Sequence, residues 1–482
     1  MFNNSHTRRH FLQRGVAAGS VLAVRRTHRA VAANDQVNVG IIGLGMMGGG
    51  HARSFPNLSG VQVTAVSDAD TQRMGKAASH LPSSTLQHQD FRRILDDKSI
   101  DAVVIATPNH WHALMTIMAC QAGKHVYVQK PVSHNIWEGR KMVEAARRYD
   151  RIVQAGTQHR SCPAVHQARN DILAGKYGRP KWVHCSVLHV REPIGHVSMP
   201  LSVPGHIDYD LWTGPAPKVP VMRKSFHYDW HWQWNWGDGE TGNWGPHYID
   251  DLRNLLGWDD VPDNVVSVGN RFAWHDNGET PNVHLALFDH RDVKVVLDIR
   301  NLPDPSGPGG AEGAVYRDTR GGNYIHCEHA VIRFARGGGI ASSHDGEPIQ
   351  EYSGNGGAGH EQNFINAIRS GEREQLNCEI AEGHLSTAMC HQANIAFRVG
   401  HSAKPEQIRE NMKSHPDALE TFNDMARQLG GNGVDLAKQP FMLGPLLHFD
   451  REVEQFTGAG AAMANELVAG TYRTPFTVPS QV

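Results

Sequence analysis

At 482 residues the chain exceeds what one ordinary hydrophobic core supports, so at least two domains are expected. Its 40% hydrophobic and 20% charged content is that of a globular protein, and no apolar run reaches the roughly 18 residues of a membrane span. A formal net charge of -2, with no lysine- or arginine-rich run in the body of the chain, argues against a nucleic-acid partner. The six cysteines are scattered without C-x-x-C or zinc-type spacing, so no metal site is expected and no disulfide pair is identified.

In chain order, Thr7-Arg8-Arg9-His10-Phe11-Leu12-Gln13 is a twin-arginine pattern. A short apolar stretch from Val16 to Val24 follows, and then Ala30-Val31-Ala32, which resembles a small-residue cleavage site. Residues 1–33 are therefore expected to be a twin-arginine signal peptide, and the protein to be periplasmic or otherwise exported. Loss of residues 1–32 removes six arginines and no acid, taking the formal charge from -2 to -8.

Val37-Asn38-Val39-Gly40-Ile41-Ile42 predicts a strand that runs into Gly43-Leu44-Gly45-Met46-Met47-Gly48. The glycines allow a sharp turn and close approach of a pyrophosphate to a helix N-terminus. A second strand, Val61 to Val66, ends at Asp68, 20 residues past Gly48, the spacing of a carboxylate that binds a ribose hydroxyl. That carboxylate repels a 2′-phosphate, so NAD is favoured over NADP, although Arg73 stands nearby. The alternation continues with a strand at 101–106 ending in Thr107-Pro108-Asn109-His110-Trp111-His112. A helix at about 111–122, a strand at 125–128 running into Gln129-Lys130-Pro131, a helix at about 136–149 and a strand at 152–155 complete a Rossmann unit over 34–158.

The glycine loop, the Thr107–His112 run and the Lys130-Pro131 pair, in this order, resemble the Gfo/Idh/MocA (glucose–fructose oxidoreductase/inositol dehydrogenase) family. The resemblance covers about residues 37 to 400. It implies an α/β protein: a Rossmann NAD(P)-binding domain followed by an α/β domain with an open, largely antiparallel sheet. It also implies NAD(P)-linked chemistry on sugars or polyols and a homo-oligomer. Gly43, Gly45, Met46, Met47, Gly48, Asp68, Thr107, Pro108, Asn109, His112, Gln129 and Lys130 are the expected cofactor-binding residues. Lys130 matches the family's lysine that contacts substrate and nicotinamide, and Gln129 replaces the usual glutamate.

The family's acid/base pair, four residues apart on one helix face, falls on Asn243 and His247. Asparagine cannot take a proton, so His247 is the expected base, with Lys130 and Asn243 completing the catalytic set. Arg160, Trp244 and His247 are the expected substrate contacts, a structural ion pair being the other reading of Arg160.

Residues 159–400 are expected to form the second domain, with a helix from Pro163, a strand at 181–187 and hairpin strands at 283–288 and 293–298. Residues 301–322 read as a long loop, and helices are expected to open at His360 and to run from about 382 to 399. Seven of the eleven tryptophans lie between Trp212 and Trp258, which suits either sugar stacking or an oligomer interface. Residues 401–482 carry no readable motif and are expected to be a C-terminal extension.

The leading expectation is an exported oxidoreductase acting on a sugar, polyol or glycoside with tightly held NAD: Lys130 polarises the reacting hydroxyl and His247 removes its proton. The alternatives are an NAD-dependent glycoside hydrolase working by transient oxidation and elimination, with Tyr248 or His159 as an extra base, and a catalytically inactive family member.

Overall fold

The computed structural model describes residues 36–482, so the twin-arginine segment expected at residues 1–33 lies outside the described residues. Short unbroken apolar runs such as Ala102–Ile105 favour strands covered on both faces. The first sheet contains β1 (Val37–Ile42), β2 (Val61–Ser67), β3 (Leu86–His88), β4 (Ala102–Ile105), β5 (His125–Val128) and β6 (Val153–Ala155). All pairings are parallel, in the order β3-β2-β1-β4-β5-β6. The strand order reverses between β1 and β4. This gathers the carboxyl ends of β1, β2, β4 and β5 around one crevice.

The second sheet holds twelve strands. They are β7 (Pro180–Val187), β8 (Asn264–Asn270), β9 (Val283–His290), β10 (Val293–Arg300), β11 (Gly321–Cys327), β12 (Val331–Ala335), β13 (Gly338–Ser342), β14 (Pro348–Ser353), β15 (His401–Ala403), β16 (Phe441–Leu443), β17 (Leu447–Asp450) and β18 (Gln455–Thr457). β7 and β10 pair parallel, and the other pairings are antiparallel. The helices Pro163–Leu173, Gly245–Leu256 and Ile380–Arg398 cover one face, packing on Ala286 and Phe288 of β9. Val283, Leu285 and Leu287 of the same strand point to the other face, where Ile408, Phe422 and Met425 cover them. Strand periodicity thus places successive β9 residues in two separate cores.

One expectation changes. Residues 401–482 are not an appended extension: β15 to β18 extend the second sheet, the helices Pro405–Met412 and Pro416–Gly431 cover it, and Phe476 and Val478 enter the Rossmann core. These strands have three or four residues each, too short for a periodic signal. Most of the tryptophan-rich segment is internal, and three of its rings, Trp212, Trp230 and Trp244, line the cavity described below. Trp212, Trp230 and Trp236 build a small core of their own with Ile207 and Ala216. The Arg223 guanidinium sits within it, 4.7 Å from the Trp212 ring centre and 4.5 Å from that of Trp236.

That small core stabilises residues 191–238, which fold over the Rossmann crevice. His227 Nε2 lies 2.8 Å from Asp70 Oδ2, Thr71 N–H donates to His206 O at 3.0 Å, and Asp208 N–H donates to Ala69 O at 2.9 Å. The cover is therefore fastened just beyond Asp68.

Candidate active site

A cavity of about 670 Å³ runs from the glycine loop to the second sheet, walled on one side by the cover. At its Rossmann end Gly43 has φ +84°, and a Cβ there would stand 2.7 Å from the Ala106 carbonyl. A Cβ on Gly48 would meet Gly43 O at 1.7 Å, so glycine is required at both turns. The helix Met46–Ser54 begins at Gly45 without a side-chain cap, leaving its first N–H groups free for an anion. Met46 and Met47, its first two residues, are exposed and line the cavity.

Asp68 at the end of β2 accepts from Leu44 N–H at 2.7 Å and from Asp70 N–H at 2.9 Å, which fixes its carboxylate in the crevice. Burial raises its pKa, partly offset by those two N–H groups. Thr107 Oγ1 is buried without a partner and lines the same cavity. The narrow glycine turn, the uncapped helix start, the anchored carboxylate and the orphaned hydroxyl fit a dinucleotide, with Asp68 on a ribose and the loop on the phosphates.

The Thr107–His112 run has a second task. Asn109 donates to Asp238 Oδ2 at 2.8 Å, Trp111 Nε1–H to Trp212 O at 3.0 Å, and His110 Nε2 lies 3.1 Å from the same oxygen. Asn109 therefore lines the cavity while its amide holds the second domain. The His112 ring lies between Pro131 O (2.6 Å) and Thr107 O (2.8 Å), tying two crevice loops together. Burial lowers its pKa to about 4, so it is neutral and donates to one of the two. The Gln129 amide is turned towards His51, Nε2 to Nε2 at 2.6 Å, and His51 in turn donates to Glu361 at 2.6 Å.

At the substrate end, Lys130 Nζ donates to Asn243 O at 2.7 Å and lies 3.3 Å from Asn243 Oδ1. The Asn243 Nδ2 group donates to Glu240 at 3.3 Å, which orients the amide with its oxygen towards the lysine. Glu240 is fully buried and also pairs with Arg191 at 2.8 Å. Burial pushes this carboxyl up, but its bonds to His189 and Arg191 outweigh that and hold it below the ordinary range. The acid missing at position 243 is thus supplied three residues earlier, and an aspartate at 243 would crowd a second carboxylate against it. Burial brings Lys130 down to about 8, opposed by the Glu240 charge.

His247 lines the cavity beside Trp244, their ring centres 5.5 Å apart, and its Nδ1 is buried without a partner. Burial first, and the Lys130 charge second, hold it well below the ordinary histidine value, so the imidazole is neutral and able to accept a proton. Trp244 stacks on Tyr248 at 5.8 Å and offers an apolar wall.

Arg160 is a correction. Its guanidinium is buried against Asp250 at 2.9 Å and Glu382 at 3.1 Å, away from the cavity lining. The structural ion pair, not substrate contact, is its role. His159 is paired with buried Asp251 at 2.7 Å, and Tyr248 is buried too; neither lines the cavity. Tyr228, His231, Arg191 and Arg336 do line it, and sequence reasoning missed all four. The only hint was local: Arg336 lies in the glycine-rich turn Ala335-Arg336-Gly337-Gly338.

Two family models match the chain. Residues 37–157 match GFO_IDH_MocA, the oxidoreductase family NAD-binding Rossmann fold, and residues 194–322 match GFO_IDH_MocA_C2, the oxidoreductase family C-terminal alpha/beta domain. Inositol 2-dehydrogenase 1 of Saccharopolyspora erythraea is 34% identical over 161 residues, 31% of this chain and 45% of that protein. A glycosyl hydrolase family 109 protein of Shewanella pealeana is 34% identical over 122 residues, 24% of this chain and 27% of that protein. The chain spans about half the length of the first curated relatives it matches. In structure it is similar to a levoglucosan dehydrogenase solved with NADH and levoglucosan, with TM-score 0.56 and 20% identity over 74% of this chain and 96% of that one. At that identity the likeness concerns the fold. With both domain types present and in order, the chain belongs to the Gfo/Idh/MocA oxidoreductase family.

Proposed function

We propose that this protein is an exported, NAD-dependent oxidoreductase acting on a hydroxyl of a sugar, polyol or glycoside, and that it works as a homo-oligomer with a firmly held cofactor. The observation that carries the reading is the meeting of three groups in one cavity. An ammonium tuned to about 8 (Lys130), a neutral imidazole with an unpartnered nitrogen (His247) and the Asp68 dinucleotide crevice all line it. NAD, when bound, supplies the hydride acceptor. Lys130 hydrogen-bonds and polarises the reacting hydroxyl, while Asn243, held by Glu240, keeps the ammonium aimed. His247 takes the hydroxyl proton, and Trp244 seats the apolar face of the ring. The cover over residues 191–238 supports slow cofactor release, which an exported enzyme needs where no nucleotide pool exists. Twin-arginine export rests on Arg8-Arg9 and the sequence around them.

A second reading, glycoside cleavage by transient oxidation and elimination, is favoured by one feature: Tyr228 and His231 line the same cavity and are available as the extra acid or base. Incubating the NAD-loaded protein with free sugars and aryl glycosides separates these readings. Lasting NADH formation with a free sugar supports the oxidoreductase, and aglycone release without lasting NADH supports the hydrolase. Bound NAD that no carbohydrate reduces, with no aglycone released, marks a catalytically inactive member.

A further inference from the structure

The substrate end of the cavity has more positive charge than its own carboxylates balance. Lys130, Arg191 and Arg336 all line it, and both guanidiniums act electrostatically on the Lys130 ammonium. Glu240 answers one of these charges through its 2.8 Å pair with Arg191. Arg336 has no carboxylate within ion-pair distance among the described residues, and its Nη1 is buried without a hydrogen-bond partner. Arg191 Nε is likewise buried and unpartnered.

The backbone presents Arg336 deliberately. β12 and β13 pair Ala335 with Gly338, which leaves Arg336 and Gly337 as a two-residue turn at the hairpin tip. Gly338 has φ +127°, which an L side chain rarely adopts. From that tip the guanidinium enters the cavity beside His247, on which its charge also acts. A half-buried guanidinium with idle donors is costly unless a ligand completes it, and its planar fork matches a carboxylate or phosphate. The cofactor's phosphates have their own partners. They belong to the helix start after Gly45, where Arg73 Nη1 stands 3.0 Å from the position a Cβ would take.

We propose that the substrate is an acidic carbohydrate, a uronate or a sugar phosphate, whose anionic group binds Arg336 while Lys130 and His247 act on a ring hydroxyl. This rests on the oxidoreductase reading and narrows it to a substrate class. Neutral sugars would leave Arg336 unpaired and bind less well.

The test compares the NAD-loaded protein on hexuronates, hexose phosphates and the matching neutral hexoses, by kcat/KM and by calorimetric binding to the NADH-loaded form. Acidic sugars are expected to be favoured at least about tenfold, and Arg336→Gln to reduce that acid-over-neutral ratio roughly 10- to 100-fold. Arg336→Lys should retain part of the preference, since it keeps the charge and loses the fork. Unchanged NAD binding in both variants shows that they fold. Preference for uronates assigns a carboxylate, and preference for hexose phosphates a phosphate. Neutral sugars bound and turned over as well as acidic ones, or an Arg336→Gln loss equal for both, overturns the proposal and leaves the oxidoreductase reading standing. Should no carbohydrate reduce NAD, that reading fails, and the binding comparison alone still decides whether Arg336 selects anions.

Discussion

Lys130 Nζ lies 2.7 Å from the main-chain oxygen of Asn243 and 3.3 Å from its side-chain oxygen, and behind that amide stands the buried Glu240 carboxylate. The lysine is therefore held by neutral oxygens and stabilised by a charge one residue further away. This arrangement explains how burial lowers it only to about 8.

The ammonium form is the one that polarises a hydroxyl, so kcat/KM should fall as pH rises through about 8. Glu240 favours the charged lysine, and removing that carboxylate must lower the lysine's pKa further. Glu240→Gln is expected to move the alkaline limb to lower pH by about one unit. A pH–rate profile checks this, and a purely structural role for Glu240 would lower the rate without moving the limb.

Asp68 should set cofactor choice. Asp68→Ala removes a charged acceptor for a ribose hydroxyl and is expected to weaken NAD binding roughly 10- to 100-fold. NADP binding should weaken less, because the same change removes the repulsion of a 2′-phosphate while Arg73 remains. Fluorescence titration with both cofactors gives the ratio.

The cover should govern cofactor exchange. His227 Nε2 and Asp70 Oδ2, 2.8 Å apart, fasten it next to the ribose end of the crevice. His227→Ala is expected to speed NADH release about tenfold. Stopped-flow displacement by excess NAD measures it, and an unchanged release rate would mean that the cover does not retain the cofactor.

Arg160 should matter for stability and not for substrate binding. Arg160→Met leaves Asp250 buried with Ser386 Oγ at 2.7 Å but without its 2.9 Å guanidinium partner. The expected cost is about 3–5 kcal/mol of folding stability. Thermal denaturation should show a lower Tm, while the KM of the folded enzyme stays at the wild-type value.

The Rossmann half was legible because its signals are local. Gly43, Gly48 and Asp68 each answer a backbone or charge requirement within one βαβ unit. The helix and strand limits read around Asn109–Gln121, Ile136–Arg148 and Val293–Arg300 fall within two or so residues of those observed. The substrate end was only partly legible. Lys130 and His247 could be placed by motif, but Glu240 lies outside it, and its bond to Asn243 becomes visible only when the helical turn is built. Arg336 comes from a hairpin tip almost a hundred residues after His247, a distance no periodicity bridges. Nothing in the sequence says that Trp212 and Trp236 enclose Arg223, which comes from the stretch between them. Arg160 carried two readings, and burial decided between them.

The most direct test of the Lys130 and His247 roles is the reduced-nicotinamide absorbance of the NAD-loaded protein, followed while acidic and neutral carbohydrates are added to wild type and to His247→Ala and Lys130→Met. Reduction by a carbohydrate is expected in the wild type, and loss of most of that rate in both variants, with NAD still bound. Undiminished reduction in either variant, or an NAD-loaded wild type that no carbohydrate reduces, would contradict those roles.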